Sequence, residues 1–354
     1  MWRRKRIIVI DALDECDDKE SMKEFIEAII HALQVDRSPP VHILITSRVE
    51  EHIRGILESP KARSAIDRLS LPEFDARADI HTFLQSHLSE IYDRNRRVML
   101  NVSIPWPSPS DLHALVEKSE GSFIVAATLI NFIDTQDLPQ EALHGALSTT
   151  AGGLDPLYMK IFAEAPRDEN FERVVSTVML LTKPIPIVSL AHLLQLRPEY
   201  VVKTLLGLQS ILMIPGDDDQ PIRLFHTSLR DFLTSLERSR SFFIRPQVRH
   251  LWITADCLRA LMKRPTDDIF YGDKEEYACL NWCQHLEMGV TLGGEDLLGL
   301  LEEVPLGRIL EEFTSEWMDV WLNTSLLEGR AQLGSLRSAT SKFKVGHMAW
   351  IFWG

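Results

Sequence analysis

Three acidic residues follow a short run of β-branched residues near the start of the 354-residue chain. Residues 6–10 read RIIVI and lead directly to Asp11, with Asp14 and Glu15 close behind. A continuous Val/Ile run is typical of a buried strand in a parallel sheet, and such sheets bind ligands beyond the carboxyl ends of their strands. Carboxylates placed there can hold the Mg²⁺ of a nucleotide complex and orient an attacking water. The alternative is a buried strand followed by the acidic start of a helix.

A second apolar run is followed by an arginine. Residues 41–45 read VHILI and are followed by Thr46, Ser47 and Arg48, and the segment 19–34 between the two runs has the apolar spacing of a crossover helix. Two strands joined by such a helix run parallel, so Asp11 and Arg48 are expected at one edge of one sheet. Guanidinium groups bind phosphate oxygens in pairs. Taken alone, Arg48 is better interpreted as a surface arginine that pairs with Glu50 or Glu51.

Residues 6–15 together with 42–48 resemble the NACHT family of STAND-class P-loop signalling NTPases. The chain up to about residue 340 resembles the fungal branch of that family, with a nephrocystin-like arrangement. The phrases that carry the resemblance are IDALDEC at 10–16, LITSR at 44–48, EGSFIVAAT at 120–128, LDPLY at 154–158 and FHTSLRDFL at 225–233.

The resemblance implies a role for each candidate residue. Asp11 would bind Mg²⁺, Asp14 and Glu15 would be the catalytic acidic pair near the attacking water, and Arg48 would sense the terminal phosphate of ATP. His226 would contact the β-phosphate of ADP and hold the resting state. Taken alone, His226 reads as a polar residue that closes a junction between a hairpin and a helix.

The sequence departs from the family pattern in one respect. It contains no Gly-Lys pair and therefore no Gly-x-x-x-x-Gly-Lys-[Ser/Thr] loop, which in relatives precedes the first strand and supplies most of the grip on the phosphates. Efficient ATP hydrolysis by this chain alone is not expected. We interpret the sequence as a fragment, a truncated product or a degenerate paralogue, with a gap in its sheet where the missing strand would lie.

The expected fold is an α/β remnant of a P-loop NTPase sheet followed by a mainly α region with a winged helix, in a multidomain chain. The predicted domains are a partial nucleotide-binding domain at 1–71, a helical lid at 72–165, a winged helix at 166–236, a helical arm at 237–340 and a tail at 341–354. A third strand is expected at 68–71. Within the winged helix, a helix capped by Ser189 precedes a hairpin that pairs 211–215 with 222–225.

Composition excludes several classes of function. Lys plus Arg number 38 against 51 Asp plus Glu, so the net charge is -13; this disfavours nucleic-acid binding, which needs clustered cations. No apolar run reaches the ~20 residues of a membrane span, so a soluble, cytoplasmic protein is expected. The four cysteines are too scattered for a disulfide framework. Cys279, Cys283 and His285 could hold a metal, but small core residues on a helix are the favoured interpretation.

Two hypotheses for the function of the chain remain. The first is a regulatory nucleotide switch with ATP/ADP and Mg²⁺ as cofactors, which requires different nucleotide affinities in its two states. The second is a scaffold for protein partners or self-association that no longer binds nucleotide. Hydrolase and metalloprotease motifs such as G-x-S-x-G and H-E-x-x-H are absent from the sequence.

Overall fold

The computed structural model describes residues 6–16, 18–35, 41–47, 51–69, 74–148, 153–217, 220–263, 274–325 and 334–339. The side chains of residues 15, 51, 52, 54, 295, 298 and 323–325 are excepted. The chain divides into two compact units, Met1–Asp75 and Ala76–Gly354. Each unit is described separately below.

The first unit contains a parallel βαβ arrangement, as the sequence predicts. Strands β1 (Arg6–Ile10) and β2 (Val41–Ile45) pair in parallel, with Ile8 opposite Ile43, and helix α1 (Lys19–Val35) connects them. Asp18 caps α1, because its Oδ1 accepts the Ser21 N–H at 3.0 Å and its Oδ2 accepts the Ser21 hydroxyl at 2.7 Å. Two short helices follow, α2 (Glu51–Leu57) and α3 (Pro60–Arg63).

The expectation that β1 is a buried strand is wrong. Met22, Ile26 and Ile30 of α1 form a core with neighbouring helices and pack on one side of the strand pair. The alternating residues of the other side stay in solvent, with Ile7 71% exposed, Val9 61% and Leu44 54%. A parallel sheet buries its strands only when both of its faces are covered. The described helices cover one face only in part, because Ile8 on that face is 47% exposed.

The third strand expected at 68–71 is not found in the described part of that segment. Arg68 and Leu69 have no strand conformation, and Leu69 is exposed. Ser70 and Leu71 lie outside the described residues. Among the described residues of this unit, the sheet therefore consists of β1 and β2.

The second unit is mainly helical, as expected. Four of its helices lie in the segment 72–165, which the sequence predicts to be helical: α4 (Arg77–Arg94), α5 (Pro109–Lys118), α6 (Phe123–Asp134) and α8 (Leu154–Glu164). Ser108 caps α5 by accepting the Asp111 N–H at 3.1 Å, with Pro109 in the first turn. Helix α7 (Pro139–Ser148) lies in the same segment.

A β-hairpin follows three further helices. These are α9 (Phe171–Leu180), α10 (Ile187–Leu194) and α11 (Pro198–Leu206), and then β3 (Leu212–Met213) pairs antiparallel with β4 (Arg223–Leu224). A bridge between Pro186 and Pro221 adds a short third segment. The hairpin agrees with the sequence expectation. Ser189 does not cap a helix, because α10 begins at Ile187 and Ser189 is buried within it.

Two tryptophans are buried where helices of the C-terminal part of the chain pack together. Trp282 and Trp321 are fully buried, their ring centroids are 5.1 Å apart, and Trp321 Nε1–H donates to the Cys279 carbonyl at 2.9 Å. Trp252 and Trp317 pack against the same core. The helices are α12 (Ser228–Leu233), α13 (Leu236–Ser239), α14 (Pro246–Met262), α15 (Glu276–Gly293), α16 (Leu297–Glu303), α17 (Leu306–Glu316) and α18 (Met318–Ser325), with a further helical stretch at 334–339. The tail at 341–354 lies outside the described residues.

A buried chain of polar side chains joins the end of α9 to α14 and α15. The Thr182 N–H donates to Tyr277 OH at 3.0 Å, Tyr277 OH contacts His285 Nε2 at 2.7 Å, and His285 Nδ1 contacts His250 Nδ1 at 2.8 Å. Burial, with the nearby Arg230 and Arg249, lowers the pKa of His250 from 6.5 to about 4. Burial also lowers the pKa of His285 well below its usual value. The two rings are therefore neutral at pH 7 and share one N–H between their Nδ1 atoms.

These contacts bear on the alternative metal site at Cys279, Cys283 and His285. Both ring nitrogens of His285 already have protein partners. Cys279 and Cys283 are both buried in the core of the unit. The contacts therefore support the core interpretation of these residues.

Within the described residues, every helix is too short or too polar to cross a bilayer.

The buried histidines predict a loss of stability in mild acid. Their pKa values are depressed in the folded state, so the unfolded chain binds more protons below pH 6.5 and stability falls as the pH drops from 6.5 towards about 4. Chemical unfolding across this pH range should show that decline. In the double variant His250→Asn, His285→Gln the stability at pH 7.5 should be lower by about 1–3 kcal/mol and the decline shallower. The exposed His113→Gln control should keep the wild-type decline; equal slopes in all three proteins would contradict the assignment.

Candidate functional site

The carboxyl ends of β1 and β2 lie side by side. Ile10 and Ile45 are the last paired residues, so Asp11 and Thr46 leave the sheet at the same edge. Two backbone hydrogen bonds continue the pairing beyond the strands: Thr46 N–H donates to the Ile10 carbonyl at 2.9 Å, and Leu13 N–H donates to the Thr46 carbonyl at 3.0 Å. The loop that carries the acidic residues is therefore tied to the end of β2.

Thr46 holds the Asp11 carboxylate in place. The Thr46 hydroxyl donates a short hydrogen bond to Asp11 Oδ1 and accepts the Ala12 N–H at 3.0 Å. Ala12 has a φ of +52°, a left-handed conformation that is uncommon outside glycine. The hydroxyl thus stabilises a strained turn and orients an exposed carboxylate at once. Thr46 lies within the segment 44–48, which carries part of the family resemblance, but no role was predicted for it.

The other acidic residues follow in a single helical turn, Leu13–Glu15. Leu13 is buried in the core of the unit, and Asp14 beside it is half-buried. The side chain of Glu15 and the whole of Arg48 lie outside the described residues. Among the described residues of the chain, no group of three or more His, Cys, Asp or Glu side chains is arranged to hold a metal ion.

His226 belongs to the second unit and lies between β4 and α12. Its Nδ1 accepts the Ser228 N–H at 3.1 Å and contacts the Ser228 hydroxyl oxygen at 2.6 Å. The Ser228 N–H is one of the amides at a helix start that have no partner within the helix. The imidazole therefore closes the junction between the hairpin and α12, and the ring is half-buried.

Two of the segments that carry the family resemblance, 154–158 and 225–233, meet at this junction. Tyr158 OH lies 3.0 Å from Ser228 Oγ, and its ring centroid lies 5.4 Å from that of Phe232. Beside them, Arg238 donates to both carboxylate oxygens of Asp155 at 2.7 and 2.8 Å. Burial raises the pKa of Tyr158, so the phenol keeps its proton. No role was predicted from the sequence for Tyr158, Ser228 or the Asp155–Arg238 pair. The contact between Tyr158 and Ser228 spans 70 positions and the ion pair spans 83, so local patterns do not indicate them.

The predicted site residues therefore belong to two groups. Asp11 and Asp14 lie in the unit Met1–Asp75, and His226 lies in the unit Ala76–Gly354. The structure brings Asp11 together with Thr46, and His226 together with Ser228 and Tyr158.

A family model described as nephrocystin 3, N-terminal, matches residues 2–48. Its match covers β1, α1 and β2, with the acidic loop between them. This part of the chain is nephrocystin-like. The match ends at Arg48 and does not extend to His226. No curated protein matches the chain.

The role of Thr46 can be tested by hydrogen exchange. In Thr46→Val the side chain keeps its shape and loses the hydroxyl, so the Ala12 amide loses its acceptor. A hydrogen bond contributes about 1 kcal/mol net, and exchange at Ala12 should become roughly fivefold faster. In Thr82→Val, which removes an exposed hydroxyl that donates to the Ala78 carbonyl within α4, exchange at Ala12 should not change. Unchanged exchange in Thr46→Val would contradict the assignment.

Proposed function

We propose that the chain is a NACHT-type regulatory module of the STAND class that binds ADP or ATP with Mg²⁺ and changes state with the nucleotide. The observation that carries the proposal is the parallel pairing of β1 with β2, which presents the Asp11 carboxylate at a strand end. Ligands of parallel sheets bind at that edge. The nephrocystin-like match over residues 2–48 supports the same assignment.

Asp11 is the proposed Mg²⁺ ligand. Mg²⁺ prefers oxygen ligands and is commonly held by one or two carboxylates together with the phosphates of a nucleotide. An exposed carboxylate oriented by Thr46 suits that role. The described residues provide no complete cage for a metal on their own, so binding should require the nucleotide as well. Asp14 and Glu15 are the proposed pair near the attacking water, and Arg48 is the proposed phosphate sensor.

His226 is the proposed contact to the ADP phosphate in the resting state. The order of α9, α10, α11 and the β3–β4 hairpin, with the bridge between Pro186 and Pro221, supports a winged helix at 166–236. The helices at 72–165 would then form a lid, and those at 237–340 an arm. We propose a regulatory role with protein partners for this chain.

A thermal-shift measurement on the full chain tests the proposal. A ligand that binds only the folded state at 100 times its dissociation constant stabilises it by about 2.7 kcal/mol, so Mg-ADP should raise the melting temperature by a few degrees. Asp11→Asn keeps an oxygen that can accept the Thr46 hydroxyl but loses the charge, so the magnesium-dependent part of the shift should be lost. His226→Gln should reduce the shift with ADP.

The matched control is Glu27→Gln, which removes an exposed carboxylate from α1 in the same unit and should keep the full shift. A melting temperature that does not respond to Mg-ADP would refute the nucleotide switch. That outcome would favour the alternative, a scaffold for protein partners or self-association.

A further inference from the structure

One buried carboxylate in the second unit is shared by three guanidinium groups. Asp256 of α14 is 1% exposed. Its Oδ1 accepts a hydrogen bond from Arg173 Nη2 of α9 at 2.7 Å, and its Oδ2 accepts one from Arg249 Nη2 at 3.3 Å. Arg259 Nη1 lies 3.6 Å from the same Oδ1, beyond hydrogen-bond distance. We refer to these four residues as the arginine cluster.

The packing of two helices sets the positions of these groups. Arg249 lies seven positions before Asp256 on α14, and Arg259 lies three positions after it, so all three share one face of the helix. Arg249 Nη2 also donates to Thr177 Oγ1 of α9 at 2.5 Å. Together with the bond from Arg173, this contact joins that face of α14 to α9.

The cluster has more donors than acceptors. Arg249 is buried, and its Nε–H has no hydrogen-bond acceptor among the described residues. A buried donor without an acceptor carries a desolvation cost. Burial also lowers the pKa of Arg249, although the charge of Asp256 acts in the opposite direction. One carboxylate therefore compensates the cluster only in part.

Charge and access favour an anion at this place. The chain has a net charge of -13, yet here three arginines surround one buried carboxylate. A second carboxylate that acts on Arg249 belongs to Glu172, which is exposed and therefore screened by solvent. The side chains of Arg173 and Arg259 are 35% and 32% exposed, so small ions reach both. Arg259 also lies over the Trp252 ring, 5.8 Å from its centroid.

We propose that the arginine cluster binds a phosphate-type oxyanion, which bridges Arg173 and Arg259 at the surface while Arg249 supplies a buried charge behind them. A guanidinium group donates two parallel hydrogen bonds to such an ion. Phosphate has more acceptor oxygens than a carboxylate, so it can serve two guanidinium groups at once. The site lies in the second unit and does not depend on the nucleotide function proposed above.

Thermal unfolding of the full chain in increasing sodium phosphate tests the site, at constant ionic strength and without Mg²⁺ or nucleotide. Phosphate stabilises folded proteins in general by exclusion from their surface, so the expected signal is a rise in melting temperature that saturates. At about 100 times the dissociation constant, binding should raise the folded-to-unfolded ratio about 100-fold. Arg259→Gln leaves both hydrogen bonds of Asp256 intact and should weaken phosphate binding at least about 10-fold, as expected for the loss of a hydrogen bond to a charged group.

Asp256→Asn separates ligand binding from a purely structural role. The amide keeps one oxygen acceptor but loses the charge that the guanidinium groups share. The variant should therefore be less stable without phosphate and should bind phosphate more tightly than the wild type, whereas a structural ion pair predicts the loss of stability alone. The matched control is Arg245→Gln, because Arg245 precedes the same helix and pairs with Glu303 alone through two hydrogen bonds. It should keep the wild-type affinity.

A peptide with a central phosphoserine distinguishes the two sources of phosphate. Binding that is tighter than that of inorganic phosphate, and absent from the unphosphorylated peptide, would assign the site to a phosphorylated partner. Equal or weaker binding would assign it to the free ion.

Two results would overturn the proposal. The first is a phosphate response that is equal in the wild type, Arg259→Gln and Arg245→Gln. The second is a folded Asp256→Asn variant that binds phosphate no more tightly than the wild type. Asp11→Asn should keep the full phosphate response, so a failure of the nucleotide function can be told apart from a failure of this site.

Discussion

The parallel hydrogen bonding between β1 and β2 determines where the acidic residues of the N-terminal unit can act. Because the strands run in the same direction, the residues that follow each of them emerge at one edge, and Asp11 meets Thr46 there. The backbone bonds from Thr46 to Ile10 and from Leu13 to Thr46 extend this constraint into the loop. The left-handed Ala12 is tolerated because the Thr46 hydroxyl satisfies its amide. The proposed Mg²⁺ site depends on this arrangement.

Local patterns in the sequence predicted much of the fold. The βαβ arrangement, the helices at Arg77–Arg94 and Phe123–Asp134 and the β3–β4 hairpin follow from apolar periodicity and turn residues, which act over short distances along the chain. The solvent exposure of β1 could not be predicted in this way. Burial depends on what covers the other face of the sheet, and a run of Ile and Val shows only that a strand could be buried.

The partners of the candidate site residues were also beyond local patterns. Asp11 and Thr46 are 35 positions apart, and Tyr158 and Ser228 are 70 positions apart. The resemblance singled out the segments that contain these residues, but among the residues that form these contacts it gave roles only to Asp11 and His226. The hydroxyl groups that orient those two side chains became visible only when the segments were placed together. Hydroxyl side chains are common, and their spacing carries no signal comparable to that of a β-branched strand or an amphipathic helix.

The central claim is that the edge occupied by Asp11 and Thr46 binds a metal-nucleotide complex. Its most direct test is paramagnetic broadening by Mn²⁺ with ADP, because Mn²⁺ takes the oxygen ligands of Mg²⁺ and broadens the signals of nuclei near it. The account predicts selective broadening of the amide signals of Asp11, Ala12 and Thr46 in the wild type, and its loss in Asp11→Asn. Broadening that is absent from these residues, or that persists unchanged in Asp11→Asn, would contradict the account.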